Sequence, residues 1–202
     1  MSSVTLTTGR STLVDRLFAR SIATDSILII AGVALTAALA QVSIPLWPVP
    51  ITGQTLAVLL VGSALGAVRG TISMALYAVL GIVGLPIFSA ASSGWGVIAG
   101  PTGGYIVGFI FAAWLTGWAA QRTWDRRFVG AGVSFLSGSA VVFVIGLPWL
   151  AISLGLNLQQ TLESGLYPFI VGGIIKAVIA AGVISTSWYF VDRSKRNATP
   201  SE

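Results

Sequence analysis

Residues 167–191 read Y-P-F-I-V-G-G-I-I-K-A-V-I-A-A-G-V-I-S-T-S-W-Y-F-V. As a helix this stretch is long enough to cross a hydrocarbon layer, which takes roughly 20 residues. It holds a single charge, Lys176. Five further apolar segments precede it, at about 25–44, 55–68, 70–85, 104–121 and 129–153. The second and third are short and interrupted by glycine. A re-entrant hairpin there would put Arg69 at membrane depth, where a charge costs about 2.5–3.5 kcal/mol. Two short spans with Arg69 at the turn between them is the better reading. The chain is expected to be all-α, a polytopic membrane protein with six transmembrane helices.

Composition agrees. Of 202 residues only 11 are Lys or Arg and 6 are Asp or Glu, which is 8% charged against 55% hydrophobic. A soluble domain carries about a quarter charged residues, and so few charges cannot cover a water-facing surface. His and Cys are absent, which removes His/Cys metal sites, Ser-His-Asp and Cys-His nucleophiles, and redox thiols. No G-x-x-x-x-G-K-[ST] occurs, so ATP is not bound through a P-loop. The acids are Asp15, Asp25, Asp125, Glu163, Asp192 and Glu202, and none sits mid-way along an apolar run. A self-contained proton pump is therefore not expected. Apart from Lys176, no buried charge is expected.

The basic residues give an orientation. With the N-terminus inside, the inner segments hold Arg10, Arg16 and Arg20, then Arg69, then Arg122, Arg126 and Arg127, then Arg193, Lys195 and Arg196. The outer connections, about 45–54, 86–103 and 154–166, hold neither Lys nor Arg. This positive-inside pattern fits an even number of spans with both termini cytoplasmic. It explains the basic balance better than nucleic-acid binding does. Residues 1–24 are read as a cytoplasmic tail, 25–192 as the membrane domain and 193–202 as a second tail.

The outer connections are apolar, aromatic and rich in Pro and Gly, whereas the inner turns are short and charged. Specific loops on one face of a rigid scaffold commonly carry binding residues. Leu156, Leu158, Leu162 and Leu166 form a rough helical stripe in the last of them, which predicts a short interfacial helix.

Several residues stand out. Lys176 lies about nine residues into the last span, about 12 Å from outer water at 1.5 Å per residue. It either snorkels or faces a polar cavity, there pairing an anion or donating to a carbonyl of a ligand. Prolines stiffen Trp47-Pro-Val-Pro-Ile-Thr-Gly-Gln54-Thr55, which suits either a ligand cover or a rigid connector anchored by Trp47. In Gly100-Pro-Thr-Gly-Gly-Tyr105 the proline breaks helix, Thr102 can cap, and the glycines allow close approach. Tyr105 fits a ligand contact or an aromatic belt equally. Gly32, Thr36 and Ala40, with Ala34 and Ala38, make a small-residue face for packing within the chain or against another membrane subunit. Gly62, Gly66 and Gly70 read as internal packing, and Arg122–Arg127 as an orientation signal.

P-V-P-I-T-G-Q-T-L (48–56), L-G (65–66), Y-A-V-L-G-I-V-G-L-P-I-F (77–88), G-P-T-G-G-Y-I-V-G-F (100–109) and P-F-I-V-G-G-I-I-K-A (168–177) occur in this order. Together they resemble the BioY family, the biotin-specific substrate-binding subunits of energy-coupling factor (ECF) transporters. The resemblance covers roughly residues 25–192. It implies a six-helix, multi-pass protein of a prokaryotic plasma membrane that captures biotin on its outer face. It also implies a transmembrane coupling subunit and cytoplasmic ATPase subunits as partners. No cofactor is implied, since biotin is the substrate and the partners use the ATP. Lys176 matches the family lysine. Many relatives carry Gly-Asp where this chain has Gly172-Gly173, and that acid is expected to bond the ureido ring. The first loop is placed over the ligand and the small-residue face of the first span becomes the docking surface. The candidate ligand residues are Lys176, Gln54, Thr52, Trp95, Thr102, Tyr105 and Tyr167. The candidate docking residues are Gly32, Ala34, Thr36, Ala38 and Ala40. The rivals are a subunit for another small vitamin and a self-sufficient facilitator. A membrane enzyme would need an acid or nucleophile cluster, and only Glu163 lies on the outer face.

Overall fold

The computed structural model describes residues 11–198. Arg10, residues 199–202 and the side chains of Lys195 and Arg196 lie outside the described residues, so their part in the charge pattern and the tails is not described. The elements are α1 (Leu13–Leu17), α2 (Ile22–Ala40), β1 (Ser43–Ile44), β2 (Ile51–Thr52), α3 (Gln54–Leu65) and α4 (Ala67–Ile82). Then come α5 (Trp95–Ala99), α6 (Gly103–Gln121), α7 (Phe128–Leu154), α8 (Leu158–Gly165) and α9 (Tyr167–Ala198).

Helices α2, α6, α7 and α9 are each long and apolar enough to cross a membrane, and α3 and α4 are shorter apolar helices. The six expected segments are thus all helical, with ends shifted by a few residues. Large apolar side chains point away from the protein along α2, α7 and α9, among them Ile27, Ile30, Val144, Ile152 and Ile175. In water such a surface would aggregate; against lipid it costs nothing.

Two features depart from an all-α chain with plain loops. β1 and β2 form a small antiparallel hairpin, pairing Ser43 with Thr52 and Ile44 with Ile51. The connection after α4 carries a 3₁₀ turn at Ser89–Ala91 and the short α5. The expected helix in the last connection is α8, started by Asn157, whose side chain accepts from the Gln160 N–H as an N-cap. Its fully buried residues are Thr161 and Gly165; of the leucine stripe Leu158 is exposed, whereas Leu156, Leu162 and Leu166 are half-buried and Leu156 packs on the core.

Small residues let the helices come close. α6 packs on α3, α4 and α7. A Cβ at Gly62 would overlap Thr116 Oγ1, and one at Gly70 would lie 2.9 Å from Gly62 Cα. Between lipid-immersed helices such packing, rather than hydrophobic burial, drives association. Gly66, at φ +86°, makes the sharp α3–α4 turn, a conformation side chains resist. The predicted docking stripe divides. Gly32, Thr36 and Ala40 are buried; a Cβ at Gly32 would sit 2.8 Å from Ser73 Oγ, and Thr36 lies against Met74. That row is α2–α4 packing. Ala34 and Ala38 are exposed.

The expectation of no buried charge beyond Lys176 is overturned at the α1 end. Arg69 is 1% exposed. Its guanidinium pairs with Asp15 Oδ1 at 2.7 Å and Asp25 Oδ1 at 3.0 Å. It also donates to the Leu65 carbonyl at 2.9 Å and to Thr12 Oγ1 at 3.3 Å. Residues 11–24 are therefore not a free tail: Leu13 and Val14 are buried, and Asp15 fastens α1 to α4. Burial pushes the Asp15 carboxyl up, but hydrogen bonds from Thr12 and the Arg69 guanidinium outweigh this and hold it below the usual carboxylate range.

Asp125, in the α6–α7 connection, is also 1% exposed. It accepts from Trp188 Nε1 at 2.7 Å and from Ser63 Oγ at 3.5 Å, tying that turn to α9 and α3. Arg126 lies over the Trp188 ring, 4.6 Å from its centroid. Burial pushes the Asp125 carboxyl up to about 6. The folded chain thus keeps a proton that the unfolded chain has already released, so deprotonation opposes folding. Stability should fall from about pH 4 to about pH 7, by up to ~3 kcal/mol at ~1.4 kcal/mol per unit. Asp125→Asn keeps an acceptor for Trp188 and is expected to remove this slope and raise the unfolding midpoint at neutral pH. Thermal unfolding of both forms across that range is the check; parallel curves would sink the prediction.

Candidate functional site

At the other end of the bundle a cavity of about 360 Å³ opens between the hairpin, residues 88–101 and the near ends of α3, α6, α7 and α9. Its walls are mostly apolar: Val49, Phe88, Ile106, Phe109, Phe143 and Phe169. Lys176 reaches it from α9. Its Nζ donates to the Thr52 carbonyl at 2.5 Å and to Thr55 Oγ1 at 3.0 Å. The amine is thus held by the hairpin and α3 rather than snorkelling. Among the described lining residues Lys176 is the lone charge.

Gln54 is 6% exposed, and both ends of its amide are engaged within the protein. Oε1 accepts from Thr52 Oγ1 at 2.8 Å, and Nε2 donates to the Tyr77 hydroxyl at 2.6 Å. The Tyr77 hydroxyl in turn donates to the Ile87 carbonyl at 2.9 Å. Gln54 therefore shapes the wall before it can serve a ligand. Thr102 stands at the start of α6 without capping it; its hydroxyl donates to the Val97 carbonyl at 3.3 Å. Tyr105 is buried and lines the cavity, so it is no belt residue. Its hydroxyl donates to the Gly165 carbonyl at 2.9 Å, and its ring stacks on Phe169 at 6.3 Å and meets Phe143 edge-on at 6.2 Å.

Five of the seven predicted residues, Lys176, Gln54, Thr52, Thr102 and Tyr105, thus come together in the lining. Trp95 and Tyr167 do not: they are 67% and 54% exposed and stand outside it. Sequence reading ended the stiff loop at Thr55 without counting it among the ligand residues, and missed Phe169, which precedes Lys176 by seven residues and so shares its helical face. Nothing local marks Phe143. Gly173, where the resemblance leads one to expect an acid, brings no carboxylate; a Cβ there would meet nothing within 4 Å, and the residue is not among those lining the cavity.

An aromatic-walled cavity with one cation, hydroxyls and backbone carbonyls suits an apolar molecule bearing an anionic or carbonyl group. The model of the BioY family matches residues 9–193. The chain belongs to the BioY family. A probable biotin transporter BioY from Pyrococcus horikoshii is 40% identical over 148 residues, 73% of this chain and 86% of that protein. The biotin transporter BioY of Rhizobium etli is 37% identical over 150 residues, 71% of this chain and 80% of that protein. Among solved structures, the S-component for biotin from an ECF-type ABC transporter superposes with a TM-score of 0.69 at 26% identity. That match covers 86% of this chain and 90% of that one. BioY relatives are transporters, and the cavity sits in a fold shared with one of them.

Proposed function

We propose that this chain captures biotin on the outer face of a prokaryotic cell membrane, as the substrate-specific subunit of an ATP-driven importer. The observation that carries the reading is Lys176, the lone charge among the described lining residues of an aromatic cavity, in a chain of the BioY family. Biotin offers an apolar bicycle, a ureido group and a carboxylate on a short arm. The rings would sit among Phe109, Phe143, Phe169 and Tyr105, and the lysine would meet the carboxylate or the ureido carbonyl. With Gly173 in place of an acid, hydroxyls and backbone carbonyls accept from the ureido N–H groups.

In this reading α2, α3, α4, α6, α7 and α9 cross the membrane with both termini inside. Arg69, Arg122, Arg126 and Arg127 gather at the end remote from the cavity, in support of that orientation. The row Trp114, Trp118 and Trp124, with Arg122 over the Trp118 ring at 3.9 Å, suits a headgroup boundary. A transmembrane coupling subunit docks on the exposed Ala34–Ala38 face, and ATPase subunits supply the energy.

Equilibrium titration of the purified protein tests the core of the reading. Saturable biotin binding at or below about 1 μM (roughly −8 kcal/mol), not displaced by other vitamins, is expected. Displacement by another vitamin would reassign the substrate, and no binding at that concentration would overturn the proposal. Biotin uptake by liposomes holding this chain alone would instead make it a facilitator.

A further inference from the structure

The cavity wall at Ile87–Ala91 is held in a conformation its sequence resists. Ala90 has φ 55° and Ala91 φ 53°, the left-handed region that side chains disfavour. Such geometry persists only where the surroundings over-determine it. Two side chains do so from behind. Gln41, at the C-terminal end of α2, donates from Nε2 to the Phe88 carbonyl at 3.1 Å and accepts the Ala91 N–H at 2.9 Å. Tyr77, on α4, donates to the Ile87 carbonyl at 2.9 Å. Its ring meets the Phe88 ring edge-on, 5.4 Å between centroids. Phe88 in turn fills the space over Gly81, where a Cβ would overlap its ring.

Neither Gln41 nor Tyr77 lines the cavity, but Phe88, Ser89 and Ala90 do. The Tyr77 hydroxyl also accepts from Gln54, which holds Thr52, whose carbonyl receives Lys176. One phenol therefore joins the wall that bears the lysine to the wall that bears Phe88.

We propose that Gln41 and Tyr77 are positioning residues that clamp the strained Ile87–Ala91 segment against the hairpin wall and so set the affinity of the cavity without touching its ligand. A wall ordered before the ligand arrives loses less freedom on binding. Loosening it should act mainly on the rate of release. The affinity part rests on the biotin reading above; the clamp itself does not.

Gln41→Ala, Tyr77→Phe and the pair Gln41→Ala with Ala91→Gly test it. Amide exchange of residues 87–92 in ligand-free protein reads the clamp, and biotin affinity and release rate read its consequence. Gln41→Ala and Tyr77→Phe should each speed exchange and weaken biotin about tenfold, chiefly through faster release. For Gln41→Ala the unfolding midpoint should hardly move, since the side chain is exposed and only its bond to the Phe88 carbonyl is partly buried. Ala91→Gly should recover most of the Gln41→Ala loss, because glycine adopts the left-handed turn without strain. A merely structural role would shift the midpoint, leave affinity per folded molecule unchanged and show no such rescue. Unchanged exchange at 87–92 in folded Gln41→Ala would overturn the clamp, and faster exchange with unchanged affinity would overturn its role in binding. If the unaltered protein binds no biotin, the biotin reading falls, and the exchange arm still decides the clamp.

Discussion

Lys176→Met is expected to weaken biotin binding by about 100-fold or more while the protein stays folded. Lys176 supplies the lone charge among the described lining residues of a cavity whose walls include Phe109, Phe143 and Phe169. Charge-assisted bonds in such surroundings are about twice as strong as neutral ones. Removing one partner of a desolvated pair costs about 2–5 kcal/mol, much of it for the group left unpaired. At 1.4 kcal/mol per factor of ten, about 2.7 kcal/mol already gives 100-fold. Methionine keeps the unbranched apolar stem, one heavy atom shorter than lysine, so α9 should retain its packing. The bonds to Thr52 and Thr55 are lost as well, so the unfolding midpoint has to be recorded beside the dissociation constant. Unchanged affinity in a folded variant would reduce Lys176 to a strut between α9 and the hairpin.

The largest effect on stability is expected at the opposite end. Arg69→Met should lower stability by about 3–5 kcal/mol, because it leaves Asp15 and Asp25 buried without their cation. For a chain of this size that is on the order of 10 °C in unfolding midpoint. Arg69→Lys should recover only part, since an ammonium cannot span two carboxylates as the guanidinium fork does. Here the two bonds run to separate acids, at 2.7 and 3.0 Å, from different nitrogens. Loss of the arginine should also release α1, which Asp15 fastens to α4, so proteolysis near residues 12–20 should quicken. Removing the acids along with the arginine should return much of the stability, since an apolar replacement of a whole buried network is often neutral. A midpoint within a degree or two of the unaltered protein would show that water reaches these carboxylates and that the network carries little.

How far each feature could be read from the chain depends on whether its cause is local. The helices α2, α6, α7 and α9 were legible because lipid demands a long unbroken apolar run, a property of neighbouring residues. Lys176 was legible for the same reason, as the one charge that breaks such a run. Arg69 was legible as a charge but not as a partner. Its acids lie 54 and 44 positions away, and nothing beside it names them. The stripe on α2 could be seen, but not that Gly32, Thr36 and Ala40 face inward while Ala34 and Ala38 face out. Trp95 and Tyr167 stand outside the lining, a placement their sequence does not reveal, because an aromatic residue at a helix start serves a membrane boundary as well as a ligand. Gln54 was found, yet its two inward bonds, one to Tyr77 on another helix, were beyond any local pattern.

By itself, then, the sequence determined the apolar helices, the segregation of basic residues, the motifs of the BioY family and the one lysine set inside an apolar helix. The helices, the placing of the charges and the isolation of that lysine follow from the cost of moving a short segment from water to lipid; the motifs are a pattern in the order of residues. Only the tertiary structure decided which polar groups meet. Lys176 finds the Thr52 carbonyl across 124 positions of chain, and Arg69, Asp125 and Tyr77 find their partners in the same long-range way. A buried polar group must be satisfied wherever the fold brings a partner within about 3 Å. That condition concerns distance in space, which the order of residues along the chain does not contain.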